Sequence, residues 1–123
     1  MDDTTYHYNA HVDSVYDGDT ITVTLDLGLK IKIKEKLRLS RINTPEIRGD
    51  EREDGLVARD RLRELILGKD IIVQTTKDKK GKYGRYIADI WLKSEELAPY
   101  PSDPWVNIND LLVEESLAEY VQY

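Results

Sequence analysis

Residues 21–39 read ITVTLDLGLKIKIKEKLRL, and the odd positions are apolar almost throughout: Ile21, Val23, Leu25, Leu27, Leu29, Ile31, Ile33, Leu37 and Leu39. A period of two puts those side chains on one side of an extended chain, so the stretch predicts two strands sharing one buried face. Asp26-Leu27-Gly28 supplies the turn between them. Arg38 falls on the even, opposite face. It is therefore outside the core and available to a ligand.

The second strand runs straight into Ser40-Arg41-Ile42-Asn43-Thr44-Pro45-Glu46. Pro45 biases Thr44 away from helix and fixes the exit of the chain. A guanidinium, an amide oxygen and a glutamate thus arrive in one small region. Folding alone has little use for such a set, whereas a phosphate and a hard cation do. Upstream, a first strand is expected over residues 8–16, ending in the turn Asp17-Gly18-Asp19-Thr20. Downstream, Leu56, Ala58, Leu62, Leu65 and Ile66 recur at helical spacing over about residues 51–67, with Gly68 where a helix commonly stops. Asp50 and Glu53 have the spacing of a capping box. Strands follow over 71–75 and 86–92, joined by a lysine-rich turn that leads into Gly81-Lys82-Tyr83-Gly84-Arg85-Tyr86. Residues 93–105, with Pro99, Pro101 and Pro104, read as a loop whose Trp105 packs on the core. A second helix is expected from about Asn107 to Glu119, with Ile108, Leu111, Leu112 and Leu117 as its apolar side. The order is three strands, helix, two strands, helix. That predicts an α+β, mostly β fold: a five-stranded OB-type barrel with one helix after strand 3 and one at the C-terminal end.

The 123 residues suit one domain with a single core, and 40% hydrophobic with 34% charged residues is ordinary globular composition. With no cysteine, disulfides and thiolate metal sites are excluded. No apolar run reaches membrane-spanning length, and the acidic start, Met1 to Thr5, is unlike a secretion signal. A cytoplasmic location is expected for the chain as given, or secretion if a signal has been removed. The net charge of −6 disfavours a protein that coats nucleic acid over a large basic surface. The charge is uneven, however: residues 30–41 hold Lys30, Lys32, Lys34, Lys36, Arg38 and Arg41 against Glu35 alone. Residues 77–85 form a second basic segment. Such islands suit local capture of phosphate. His7 and His11, four apart in a strand, lie on one face but distant from each other, so neither reads as a ligand or base.

Each motif alone has a bland reading as a hairpin turn, a helix start or a solvated loop. Together, in one small domain and each at a strand end, they sum to one chemistry: oxygen ligands for a hard cation, cations for phosphate and a carboxylate to handle water. The three motifs, with the strand order and the helix Ile108 to Ala118, resemble the staphylococcal nuclease family over residues 8–120. That resemblance implies an OB barrel and Ca2+-dependent hydrolysis of DNA and RNA to 3′-phosphates. A monomer that acts on nucleic acid without membrane attachment is expected. It implies Asp19, Asn43 and the Thr44 carbonyl as metal ligands, Glu46 as the residue that activates water, Arg38 and Arg85 as the phosphate clamp, and Lys82 and Tyr83 as nucleotide contacts. The chain departs from the family pattern at Asn43, where an acidic ligand is usual. Tyr120 and Tyr123 lie near, but do not align with, the family's paired pocket tyrosines. A different class of function, a non-catalytic OB module that binds single-stranded nucleic acid or a protein, is the alternative. A nuclease disabled by Asn43 is a third.

Overall fold

The computed structural model describes residues 5–80, 85–97 and 104–121. In chain order the elements are β1 (Thr5–Asp17), β2 (Thr20–Asp26), β3 (Lys32–Leu39), β4 (Ile42–Asn43), α1 (Arg52–Ile66), β5 (Asp70–Lys80), β6 (Tyr86–Lys93), β7 (Trp105–Asn107), α2 (Ile108–Glu114) and β8 (Glu119–Tyr120). The large sheet has the order β3-β2-β1-β5-β6-β7, and β3 also pairs with β6. That extra pairing is parallel, from Leu37 opposite Tyr86 to Leu39 opposite Ala88. It closes β1, β2, β3, β5 and β6 into the expected five-stranded OB barrel, with α1 following β3 and α2 near the C-terminal end.

Closure depends on β1, which gives its first half to β5 and most of its length to β2. Irregularities in the β1–β2 register at Val12/Ser14 and Val15/Asp17 let the strand bend between the two roles. The interior is filled by aliphatic side chains from every wall, among them Val12, Ile21, Val23, Leu37, Leu39, Val73, Ile90 and Leu92, all fully buried. Helix α1 covers one end with Leu62, Leu65 and Ile66, and α2 adds Ile108 and Leu112. Its neighbour Asn109, also fully buried, donates to the Ser40 and Ala88 carbonyls and accepts from the Ile90 amide. A buried amide satisfied on three sides locks α2 to β6 and to the end of β3.

Four local expectations need correction. The alternation over residues 21–39 is genuine, but only its two ends are core: Leu27, Leu29, Ile31 and Ile33 are exposed, Leu29 at 93%. The β2–β3 hairpin runs beyond the barrel rim, where no layer among the described residues covers it. Its turn closes through Leu27 N–H to the Ile31 carbonyl and Ile31 N–H to the Gly28 carbonyl, with Gly28, Leu29 and Lys30 all at positive φ. The Asp50/Glu53 capping box is absent: a 3-10 turn, Gly49–Glu51, leads into α1, and the N-cap residue Glu51 makes no side-chain cap bond. Its carboxylate instead accepts the Glu46 amide at 2.9 Å. Helix α2 is shorter than its apolar pattern. Ser116 adopts positive φ, and the chain turns to form β8, whose Tyr120 and Glu119 pair with Ile42 and Asn43 of β4. The two-residue strands β4 and β8 give no periodic signal in the sequence. Nor does Trp105 sit in a loop and pack on the core as expected: it lies on edge strand β7, over a third exposed, with Lys93 Nζ 5.9 Å from its ring centre.

Candidate phosphate and cation site

Between β1 and β2 the chain reverses on Gly18 and Asp19, and the turn lies flat against the segment that follows β4. A Cβ at Gly18 would sit 2.8 Å from both Thr44 Cγ2 and Thr44 Oγ1 and 2.9 Å from Ala58 Cβ, so only glycine permits this approach. The Asp19 amide donates to Asp17 Oδ1 at 3.1 Å. Asp19 is 7% exposed, yet every direction from it is served. Its carbonyl accepts the Leu39 amide at 2.9 Å, Oδ2 accepts the Thr44 amide at 3.1 Å, and Oδ1 accepts the Thr20 hydroxyl at 3.4 Å. The first turn is thereby stitched to both sides of the stretch Leu39 to Thr44.

Arg38, on the outward face of β3 as its parity predicts, extends along the same surface. Nη1 donates to the Leu39 carbonyl at 2.8 Å, and Nη2 lies 3.3 Å from Asp19 Oδ2 while donating to Asn43 Oδ1 at 3.2 Å. Arg85, just before β6, donates from Nη1 to Thr20 Oγ1 at 2.8 Å. Arg85, Thr20, Asp19, Arg38 and Asn43 thus form one continuous polar chain. Arg41 in the same stretch has a structural role instead, since it sits at positive φ and binds Asp89 Oδ1 at 2.6 Å and Asp110 Oδ1 at 2.9 Å. Those bonds, Asp89 first, hold its guanidinium proton more tightly than usual and pin the β3–β4 turn.

Glu46 is exposed on the turn just beyond Thr44 and enters no part of that chain; among the described residues its carboxylate makes no hydrogen bond. Its backbone is nevertheless held firmly, by the bond to Glu51 and by Gly55 of α1. A Cβ at Gly55 would lie 2.1 Å from the Glu46 carbonyl oxygen. Of the residues expected from the sequence, the structure gathers Asp19, Arg38, Asn43, Thr44 and Arg85, and puts Glu46 on the adjoining turn. Lys82 and Tyr83 lie outside the described residues.

A hard cation fits this donor set with one reservation of charge. Asp19 Oδ2 and Asn43 Oδ1 converge on a single nitrogen of Arg38, at 3.3 and 3.2 Å, so both oxygens already face one cationic centre. Thr44 Oγ1, beside them, is the one buried side-chain oxygen or nitrogen without a partner among the described residues. Amide and carbonyl oxygens serve Ca2+ as carboxylates do. Among the described residues, however, no three His, Cys, Asp or Glu side chains cluster for a metal, and Asn43 contributes an amide oxygen without charge. The neighbouring Asp17 carboxyl is pushed up from 3.8 to about 6, chiefly by burial and then by the charge of Asp19.

The model of the family described as staphylococcal nuclease homologue matches residues 36–123. The chain belongs to the staphylococcal nuclease homologue family. This is a nuclease-type family, and membership supports binding of nucleic acid. No curated protein matches the chain. The family match begins at Lys36, so the Asp17–Thr20 turn lies upstream of it, joined to the matched part by the Asp19 bonds to Leu39 and Thr44.

Sequence reasoning missed Thr20 as the link between Asp19 and Arg85, and it missed Gly55. A lone glycine within a helical pattern is a signal of close approach. It also missed Arg59 and Arg63 of α1, whose spacing of four puts them on one helix face, towards the same surface.

Proposed function

We propose that the protein is a Ca2+-dependent phosphodiesterase that hydrolyses DNA, and RNA where it fits, to 3′-phosphate products. The observation that carries this reading is the single Arg38 nitrogen held between Asp19 and Asn43: a guanidinium suited to phosphate beside two side-chain oxygens suited to a cation, with Arg38 and Asn43 inside the family match. Asp19, Asn43 and Thr44 would hold the metal. When bound, Ca2+ adds positive charge beside the scissile phosphate.

Arg38 and Arg85 bind the non-bridging phosphate oxygens. Their planar, permanently charged forks stabilise the charge that gathers there in the pentacoordinate transition state more than in the ground state. Glu46, unengaged among the described residues, takes a proton from water as its oxygen bonds to phosphorus. The bond from phosphorus to the 5′ oxygen breaks, that oxygen acquires a proton, and phosphate remains on the 3′ side. Lys82 and Tyr83 complete nucleotide binding in this reading.

The absence of a three-carboxylate cluster among the described residues favours a second reading, a binding module without catalysis. The two separate on one assay: cleavage of single-stranded DNA with Ca2+, with Mg2+ and with chelator, alongside Glu46→Gln. The nuclease reading expects metal-dependent 3′-phosphate products and a loss of ~10²–10⁴-fold in the variant. Binding of thymidine 3′,5′-bisphosphate without cleavage under any metal would establish the module instead.

A further inference from the structure

Between the outer face of β1–β2–β3 and helix α1 runs a cleft of about 590 Å³, lined in part by Tyr16, Lys36, Arg59, Arg63 and Arg85. Among the described residues none that lines it is acidic, although the chain as a whole carries −6. Arg85 and Thr20 belong both to this cleft and to the polar chain of the candidate site, so the two are continuous. We propose that the cleft is a second nucleic-acid subsite, which holds the backbone of a single strand beyond the scissile phosphate. This inference rests on the nucleic-acid reading above.

The cations come from two elements that the fold brings together. Lys36 projects outward from β3, two residues before Arg38 on the same face, while Arg59 and Arg63 come from one face of α1. Arg63 is set in place by a neutral partner: Nε and Nη2 both donate to the Val15 carbonyl, at 3.2 and 3.0 Å. Among the described residues no carboxylate pairs with Arg63 or Lys36, so their charge faces the cleft uncompensated. Arg59 shares only Asp60, which is itself well exposed. On the cleft wall Tyr16 is 52% exposed, and its hydroxyl accepts from Arg48 Nη2 at 2.9 Å. An exposed ring held by a cation beside a row of cations is what an unpaired base and its phosphates require together. The outward alternation of Ser14, Thr20 and Thr22 adds hydroxyls along the same floor.

The test measures binding of fluorescein-labelled oligothymidylates of two and eight nucleotides, in chelator, across a salt series. The unmodified chain should bind the octamer more tightly than the dimer. Each cation that meets a phosphate contributes a slope of ~0.7 in log affinity against log salt for single strands. Lys36→Gln with Arg59→Gln should therefore lower the octamer slope by ~1.4 and narrow the octamer's advantage. Arg63 is spared because its loss would free the Val15 carbonyl, and melting curves check that the double variant is folded. Arg59→Glu, a reversal at one position, should weaken octamer binding more than dimer binding. Lys93→Gln, remote from the cleft, serves as the charge control and should leave the slope in place. If thymidine 3′,5′-bisphosphate binds but the octamer gains nothing over the dimer, or the double variant keeps the full slope, the cleft proposal falls and the candidate site stands. If neither the bisphosphate nor any oligonucleotide binds, both readings fall.

Discussion

Gly55→Ala sets two physical effects against each other. In an isolated helix alanine in place of glycine gains ~1 kcal/mol from propensity alone. Gly55 lies in the first turns of α1, buried, where its α-carbon faces the Thr44–Glu46 turn. An alanine Cβ would stand 2.1 Å from the Glu46 carbonyl oxygen, 2.5 Å from its carbon and 2.9 Å from the Ile47 nitrogen. All three are backbone atoms, so no rotamer change relieves the clash. Relief demands a relative shift of roughly 1 Å, and a close-packed interior transmits such a shift rather than absorbing it. Overpacking of this kind costs ~1–3 kcal/mol, and with no flexible neighbour the upper part of that range applies. Set against the propensity gain, the variant should lose ~1–2 kcal/mol. Chemical denaturation with a circular-dichroism readout measures it. Catalysis should suffer more than stability, because ~1 Å of displacement at a positioning group costs ~100-fold in rate. The comparison that isolates the effect is kcat on single-stranded DNA below the melting transition, where the variant is folded. A Gly55→Ala chain that is more stable than its parent and cleaves at the same rate would refute the claim that α1 positions Glu46.

Further outcomes follow from the site. Arg38→Lys keeps the charge but cannot bridge Asp19, Asn43 and a phosphate with one planar fork, so kcat should fall by ~10²–10³-fold while the melting temperature moves little; an equal kcat would show that only charge matters. Asn43→Asp restores a second carboxylate, and Ca2+ affinity by calorimetry should rise by ~10-fold or more; unchanged affinity would remove residue 43 from the ligand set. Asp17 binds its proton more tightly folded than unfolded, so in chelator its contribution to stability is full below pH 3.8 and is lost as pH rises to about 6. Asp17→Asn keeps the acceptor for the Asp19 amide and should abolish that component. The difference between the two stability curves across this interval reads it, and coincident slopes would overturn the assignment.

The strands and helices of the barrel were legible because their signals are local. Alternation over residues 21–39 marks two strands whatever they pair with, and the helical spacing from Leu56 to Ile66 likewise needs no partner. Arg38 could be put outside the core by parity alone. The cluster of Asp19, Arg38, Asn43 and Thr44 was legible for a different reason: polar residues gathered at strand ends are conspicuous in sequence, although the bonds by which Asp19 and Arg38 also hold the fold together are not. The same periodicity misled at Leu27 to Ile33, since period two reports which residues share a side and says nothing about whether another layer covers that side. The capping box failed because the 3-10 turn Gly49–Glu51 takes in Asp50 and moves the N-cap to Glu51, whose carboxylate binds the Glu46 amide from outside the helix.

The sequence by itself determined the order of the five barrel strands and two helices, the outward face of Arg38, and the supply of side-chain oxygens and guanidiniums. Only the tertiary structure decided that Asp19 reaches Thr44 across 25 residues, that Arg85 reaches Asp19 through Thr20, and that Gly55 holds the Glu46 backbone. It also decided that Arg59 and Arg63 share a cleft with Lys36. Patterns along a chain record which side each residue faces. Which sides meet is set by closure of the barrel through the β3–β6 pairing, a long-range event that no local period encodes.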